Sequence, residues 1–235
     1  MVRTVNERDY AARRDAILTA AYRLIAVKGY QQMTIQDLLD DLGISKGAFY
    51  HYFDSKPALL DAFIDRAIDA FEQRLAPIVA ADDRSPLDRL GQVLAVLAGG
   101  RICDRAFLSA LRVLYSDDNA VVMQRSRVAG VRRFGPLLAP ILAQGTAAGV
   151  FRVEHPEPVA AALVAIVQDM VDATGRLLLD HADLPAVDAV VSAYTDIVER
   201  TLGVPPGSME LLDRHVLGQW IGEFGQWIGE YRGHR

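Results

Sequence analysis

Residues 34 to 56, TIQDLLDDLGISKGAFYHYFDSK, leave a chain little choice of local structure. Thr34 places a side-chain oxygen just ahead of an apolar run. Asp37 follows three residues on, a variant of the reciprocal cap that usually employs Glu or Gln. Ile35, Leu38, Leu39 and Leu42 recur at helical spacing and predict a short helix. Gly43 ends it, because glycine enters the left-handed region without steric cost. Ser45 predicts the cap of a second short helix. Phe49, Tyr52 and Phe53 share one side of that helix; Lys46, Ala48, Tyr50 and His51 lie largely on the other. Asp54-Ser55 breaks it and Ser55 caps a third, whose first turn accepts Pro57 because the missing N–H would be unpaired there anyway. Two short helices joined by a turn of about three to four residues containing glycine form a helix-turn-helix.

The run Ser45-Lys46-Gly47-Ala48-Phe49-Tyr50-His51-Tyr52-Phe53, then Ser55-Lys56 and Leu59-Leu60, looks like the recognition-helix signature of the TetR family of bacterial transcriptional regulators. The apolar helix before it, ending Lys28-Gly29-Tyr30, and Thr34-Ile35 also fit. The resemblance covers roughly residues 10 to 65. Beyond that the chain is similar to the family in length and helical character, with residues 202–208 a weaker echo of some members. It implies a helix-turn-helix DNA-binding domain over residues 1–55, with an N-terminal arm, and a helical ligand-binding and dimerisation domain over 56–235. It further implies that Tyr50 and His51 contact the DNA backbone or a base edge, and that Thr34 and Lys56 donate to phosphates.

The chemistry of a groove-reading helix extends that set. Gly47 and Ala48 are small where a backbone must approach DNA. Ser45 and Lys46 carry donors, and Lys to guanine is a common specific contact. Ala48 fits a thymine methyl, and Gln36 reaches a base or a phosphate. For Tyr50 a partly buried aromatic, and for His51, Gln36 and Lys56 an ordinary surface role, stay open as alternatives. One such domain reads few bases; two related by a two-fold axis read a palindrome. The resemblance therefore implies a homodimer through the eighth and ninth predicted helices. The ninth has the apolar stripe this needs: Ala189, Val190, Ala193 and Ile197.

Bulk properties narrow the classes. The net charge is −5, but residues 1 to 56 hold eight Lys/Arg against seven Asp/Glu, net +1, and the remainder is net −6. An acidic body with a less acidic reading end suits targeted contact with DNA, not general coating. The one cysteine, Cys103, excludes an internal disulfide and fits a reducing cytoplasm. No signal peptide is visible, and no apolar run approaches the ~20 residues a membrane span needs. His51, His155, His181, His215 and His234 show no metal-ligand spacing. There is no nucleophile elbow, phosphate loop or reactive-cysteine context. We expect no enzyme, metal or cofactor. The rival readings are a regulator that answers to a protein partner instead of a small molecule, and, more remotely, a helical enzyme.

Taken in order, the chain predicts an all-α fold. Residues 1–9, with Arg3 and Arg8, read as an arm reaching the DNA or as a frayed terminus. Helices follow over about 10–28, then the two short ones, then 56–80, 86–98, 101–115, 120–148, 156–180 and 185–202. Gly135-Pro136 and Pro140 predict a kink or break in the seventh. Ser208 predicts the cap of a tenth. Residues 218–224 and 225–231 then repeat a seven-residue pattern that sets Trp220, Phe224, Trp227 and Tyr231 on one face. That face docks on its own subunit or adds to a dimer contact. No motif names an effector. Polar groups among apolar helices are the leads: Arg101, Asp104, Arg112, Tyr115, Arg127, Gln168, Asp172 and Arg176. Asp172 and Arg176, four apart, also read as a plain surface pair. The Ala/Val/Leu-rich helices favour an apolar or amphipathic effector.

Overall fold

The computed structural model of the chain describes residues 2–99, 115–180, 182–213 and 217–218, with side chains from residue 7 onward. Its elements are α1 (Val2–Lys28), α2 (Ile35–Leu42), α3 (Lys46–Tyr50), α4 (Lys56–Val79), α5 (Pro86–Leu97), α6 (Ala120–Ala147), α7 (Pro156–Leu179) and α8 (Leu184–Leu202). A 3₁₀ turn, Asp117–Asn119, leads into α6. Among the described residues there is no strand, so the all-α expectation holds. The sixth predicted helix and the aromatic repeat lie outside the described residues, save Tyr115, in a turn, and Gly218. Helices α6, α7 and α8 are therefore the predicted seventh, eighth and ninth.

The chain forms two compact units, Met1–Ala67 with Arg112–Ser126, and Ile68–Leu111 with Arg127–Arg235. In the first unit, α1 buries Ile17, Leu18, Ala20, Ala21 and Ile25 against Leu38 and Leu39 of α2, Phe49 of α3, and Phe53 and Leu59. Phe49 is fully enclosed. Its truncation to alanine removes about 3–5 kcal/mol from a core this small. The capping box is complete: Asp37 N donates to Thr34 Oγ1 at 3.1 Å and Thr34 N to Asp37 Oδ2 at 2.8 Å. Gly43 closes α2 at φ 62°. Ser45 Oγ accepts from Ala48 N, and Ser55 Oγ from Ala58 N. Arg66 on α4 donates to Asp15 Oδ1 at 2.8 Å and Thr19 Oγ1 at 3.1 Å on α1. Such exposed pairs add little energy but fix how the helices lie.

In the second unit α7 and α8 pack together, burying Leu163, Val164, Val167 and Met170 of one and Val187, Val191, Val198 and Leu202 of the other. Arg133 on α6 reaches Glu72 at 2.8 and 2.5 Å and Asp69 at 2.8 Å on α4. Arg89 on α5 is buried and donates to the Val79 carbonyl at 3.1 Å and to Gln144 Oε1.

Three expectations are corrected. Residues 2–9 are helical and continuous with α1, not an arm; no glycine or proline interrupts them. Helix α6 runs on through Pro136 and Pro140, so of the expected kink or break the break is absent. Both prolines sit on its exposed side, where a carbonyl that loses its helical partner stays open to solvent at little cost. Ser208 caps no helix within residues 208–213. Its hydroxyl donates to the Pro205 carbonyl at 2.6 Å, and the N–H groups of Gly207 and Met209 go to the buried Glu199 carboxylate at 3.0 and 2.9 Å. A carboxylate that holds two N–H groups of the loop sets its path in place of a helix start.

Candidate nucleic-acid interface

The first unit presents α3 outward. Ser45, Lys46, Gly47, Tyr50 and His51 are exposed and Ala48 is half-buried, while Phe49 faces the core. Five residues of helix suffice because each end is fixed. Ser45 caps the start, and ring contacts hold the end: Tyr10 of α1 lies 5.6 Å from His51 and 4.8 Å from Tyr52. Tyr50 packs edge-on against Phe49 at 5.4 Å and keeps 42% exposure. It is therefore an outward aromatic with a fixed base, not a core residue.

Gly47 is informative because the fold does not require it. A side chain added there meets nothing nearer than the Ser45 hydroxyl at 4.0 Å. Glycine in a helix costs about 1 kcal/mol against alanine. A position with open space and no left-handed backbone gains nothing internally from glycine, so the fold itself gives no reason for glycine here.

The remaining predicted contacts stand nearby in the same unit. Thr34 and Gln36 are exposed at the start of α2; Gln36 Nε2 donates to Asp40 at 2.7 Å. Lys56 is half-buried, with its Nζ 3.2 Å from the Gln31 carbonyl and 4.4 Å from the centre of the Tyr30 ring. Partial burial lowers its pKa. Lys28 does not join the outward cations, since Nζ pairs with Asp37 Oδ1 at 2.6 Å. That bond, with the N–H and hydroxyl of Thr34, holds the Asp37 carboxyl at a pKa of about 2.

Arg13 and Tyr10 were not among the predicted contacts. Arg13 lines an open cleft of about 400 Å³ with Ala48, His51 and Tyr52. Their signal was present only as a polar face of α1. Which residues of that face meet α3 depends on how the two helices cross, and helical spacing does not give that.

The predicted ligand residues divide. Arg101, Asp104 and Arg112 lie outside the described residues, and Tyr115 belongs to the first unit. In the second unit Arg127 of α6 meets Asp172 at 2.5 Å and Asp169 at 3.2 Å on α7, and Gln168 Nε2 donates to the Arg127 carbonyl at 3.4 Å. Asp172 is buried and pairs with Arg127 across the helices, so it is not the plain surface residue that its spacing suggested. Asp169 and Tyr194 were missed. The Tyr194 hydroxyl donates to Asp169, which raises the phenol pKa and lowers that of the carboxylate. Among the described residues no helix is long and apolar enough to cross a membrane.

Residues 17–63 match the family described as bacterial regulatory proteins, tetR family. Over 81 residues the chain is 40% identical to an uncharacterised HTH-type transcriptional regulator in the lacX 3′ region of Lactococcus lactis subsp. lactis, across 34% of this chain and 41% of that relative. It is 34% identical over 82 residues to the HTH-type transcriptional repressor KstR2 of Rhodococcus jostii (strain RHA1), across 34% of this chain and 40% of that one. The matched stretch thus spans about two fifths of the length of these curated relatives. Among solved structures, a TetR-family transcriptional regulator from Pectobacterium atrosepticum shares the fold, with a TM-score of 0.58 over 84% of this chain and 98% of that chain at 17% identity. Residues 17–63 thus carry the helix-turn-helix segment of the tetR family of bacterial regulatory proteins, and the helical fold that follows is like that of a solved protein of that family.

Proposed function

We propose that the chain is a sequence-specific, DNA-binding transcriptional regulator that binds a palindromic operator as a homodimer and releases or grips it in response to a small molecule. The observation that carries the reading is the outward face of α3. Lys46, Gly47, Tyr50 and His51 lie exposed together, and glycine stands where the fold itself gives no reason for it. Thr34, Gln36, Ser45, Ala48 and Lys56 complete the contact set: Lys46 reads a base edge, Ala48 packs on a thymine methyl, and the others position the helix on phosphates. A repressor is the simplest mode, and the Rhodococcus relative carries that name. The cytoplasm is where such a protein meets DNA.

Dimerisation uses α7 and α8. The α8 residues Ala189, Ala193 and Ile197 are exposed, opposite the buried valines, so an apolar stripe remains for a second copy. The effector binds in the helical domain, 56–235. A ligand acts there only to the extent that it prefers one of two arrangements of the dimer. Selection of bound duplexes from a random DNA pool, repeated at several salt concentrations, tests the whole reading. Enrichment of a short palindrome with a steep salt slope is the expected result. Binding that ignores sequence would reject an operator-reading role.

A further inference from the structure

We propose that Asn119 is a positioning residue for DNA binding, acting through the turn between α1 and α2 on the ammonium of Lys56. The inference rests on the DNA-binding reading above. In the turn, Gly29 N donates to the Ile25 carbonyl at 3.0 Å and Met33 N to the Gly29 carbonyl at 3.1 Å. Of the three N–H groups between them, those of Tyr30 and Gln31 find their acceptors far along the chain. Tyr30 N donates to Asn119 Oδ1 at 2.7 Å and Gln31 N to the Asp118 carbonyl at 3.0 Å. Gln32 Nε2 reaches Asp118 Oδ1 at 3.2 Å. Asn119 is fully buried, and Gly29, at φ 80°, lets this segment come so close that an added Cβ would lie 2.5 Å from that of Asp118.

The same two residues hold Lys56 from the other side. Its ammonium donates to the Gln31 carbonyl and sits over the Tyr30 ring. An ammonium has three donors, so one remains for a phosphate oxygen while the others fix its place. Gln31 is thus gripped at its N–H by residue 118 and at its carbonyl by Lys56. Replacing Asn119 leaves the Tyr30 N–H unpaired in a partly buried site, which the turn relieves by moving. Lys56 then loses its seat. The position of one phosphate contact is in this way set by the residues that open α6, about sixty positions later in the chain.

The test is the salt slope of duplex binding by the full-length protein, measured for wild type, Asn119→Ala, Lys56→Met and the double variant. Losing one phosphate contact flattens the slope of log K against log salt by about 0.9. A homodimer loses this contact in both half-sites, so the slope flattens by about 1.8 and, across a fourfold change in salt, each variant should lose about 12-fold less affinity than wild type. Asn119→Ala and Lys56→Met should flatten the slope equally, and the double variant no further, whereas Asn119→Ala and His51→Ala should add. If Asn119→Ala does not fold, Asn119→Leu, which fills the space without offering Tyr30 N–H an acceptor, replaces it with the same expectation. A wild-type slope in the Asn119 variant, or additivity with Lys56→Met, would overturn this inference and leave the DNA reading intact. A wild type that binds no duplex in a salt-dependent way would overturn both.

Discussion

Lys46 stands exposed on α3 with no hydrogen-bond partner among the described residues, and that freedom suits a base contact. Replacing it with alanine should change which base is preferred at one position of each half-site, by about 1–3 kcal/mol. A repeat of the duplex selection on Lys46→Ala measures this; an unchanged preference with weaker binding would make Lys46 a phosphate contact. Asp37 carries a pH signature instead. Its folded-state pKa of about 2 lies below the ordinary 3.8, so its stabilising effect is complete above pH 4 and is lost as pH falls through about 2. The Tm advantage of wild type over Asp37→Asn should therefore shrink from pH 4 downward and vanish near pH 2. A constant gap would mean that the Lys28 pair does not form.

Glycines show how elements end. Gly43 closes α2 in the left-handed region, and nothing lies within 4 Å of where its side chain would point. Gly43→Ala should cost only the backbone penalty, about 1–2 kcal/mol in thermal unfolding. Gly29→Ala should cost more, because Asp118 must also be displaced. Equal losses would show that the 116–119 segment yields freely. The caps, the stripes and the orientation of α3 were legible in the sequence, because they depend on contacts within a few residues. Thr34, Gly43 and Ser45 act where spacing placed them. The contact of Asn119 with Tyr30 was not legible, since it joins positions whose neighbourhood only the packed chain defines. The same is true of Asp172, which reads by spacing as a partner of Arg176 and in the fold faces Arg127.

At the scale of the molecule, α8 has two apolar faces with different fates. Val187, Val191 and Val198 are enclosed, while Ile197 keeps 45% exposure beside Ala189 and Ala193. Ile197→Glu should turn the proposed dimer into a monomer by sedimentation and abolish tight binding to a palindrome, with helical content unchanged. A dimer that survives this charge would place the interface elsewhere. The first unit, for its part, is not one stretch of chain, for it takes in residues 112–126 as well as 1–67. A reading head exchanged between regulators by splicing genes at the end of α4 would travel without its own keystone. The recipient body would have to supply an acceptor for Tyr30 and a neighbour for Gly29, so heads and bodies of such proteins are expected to be inherited as matched pairs.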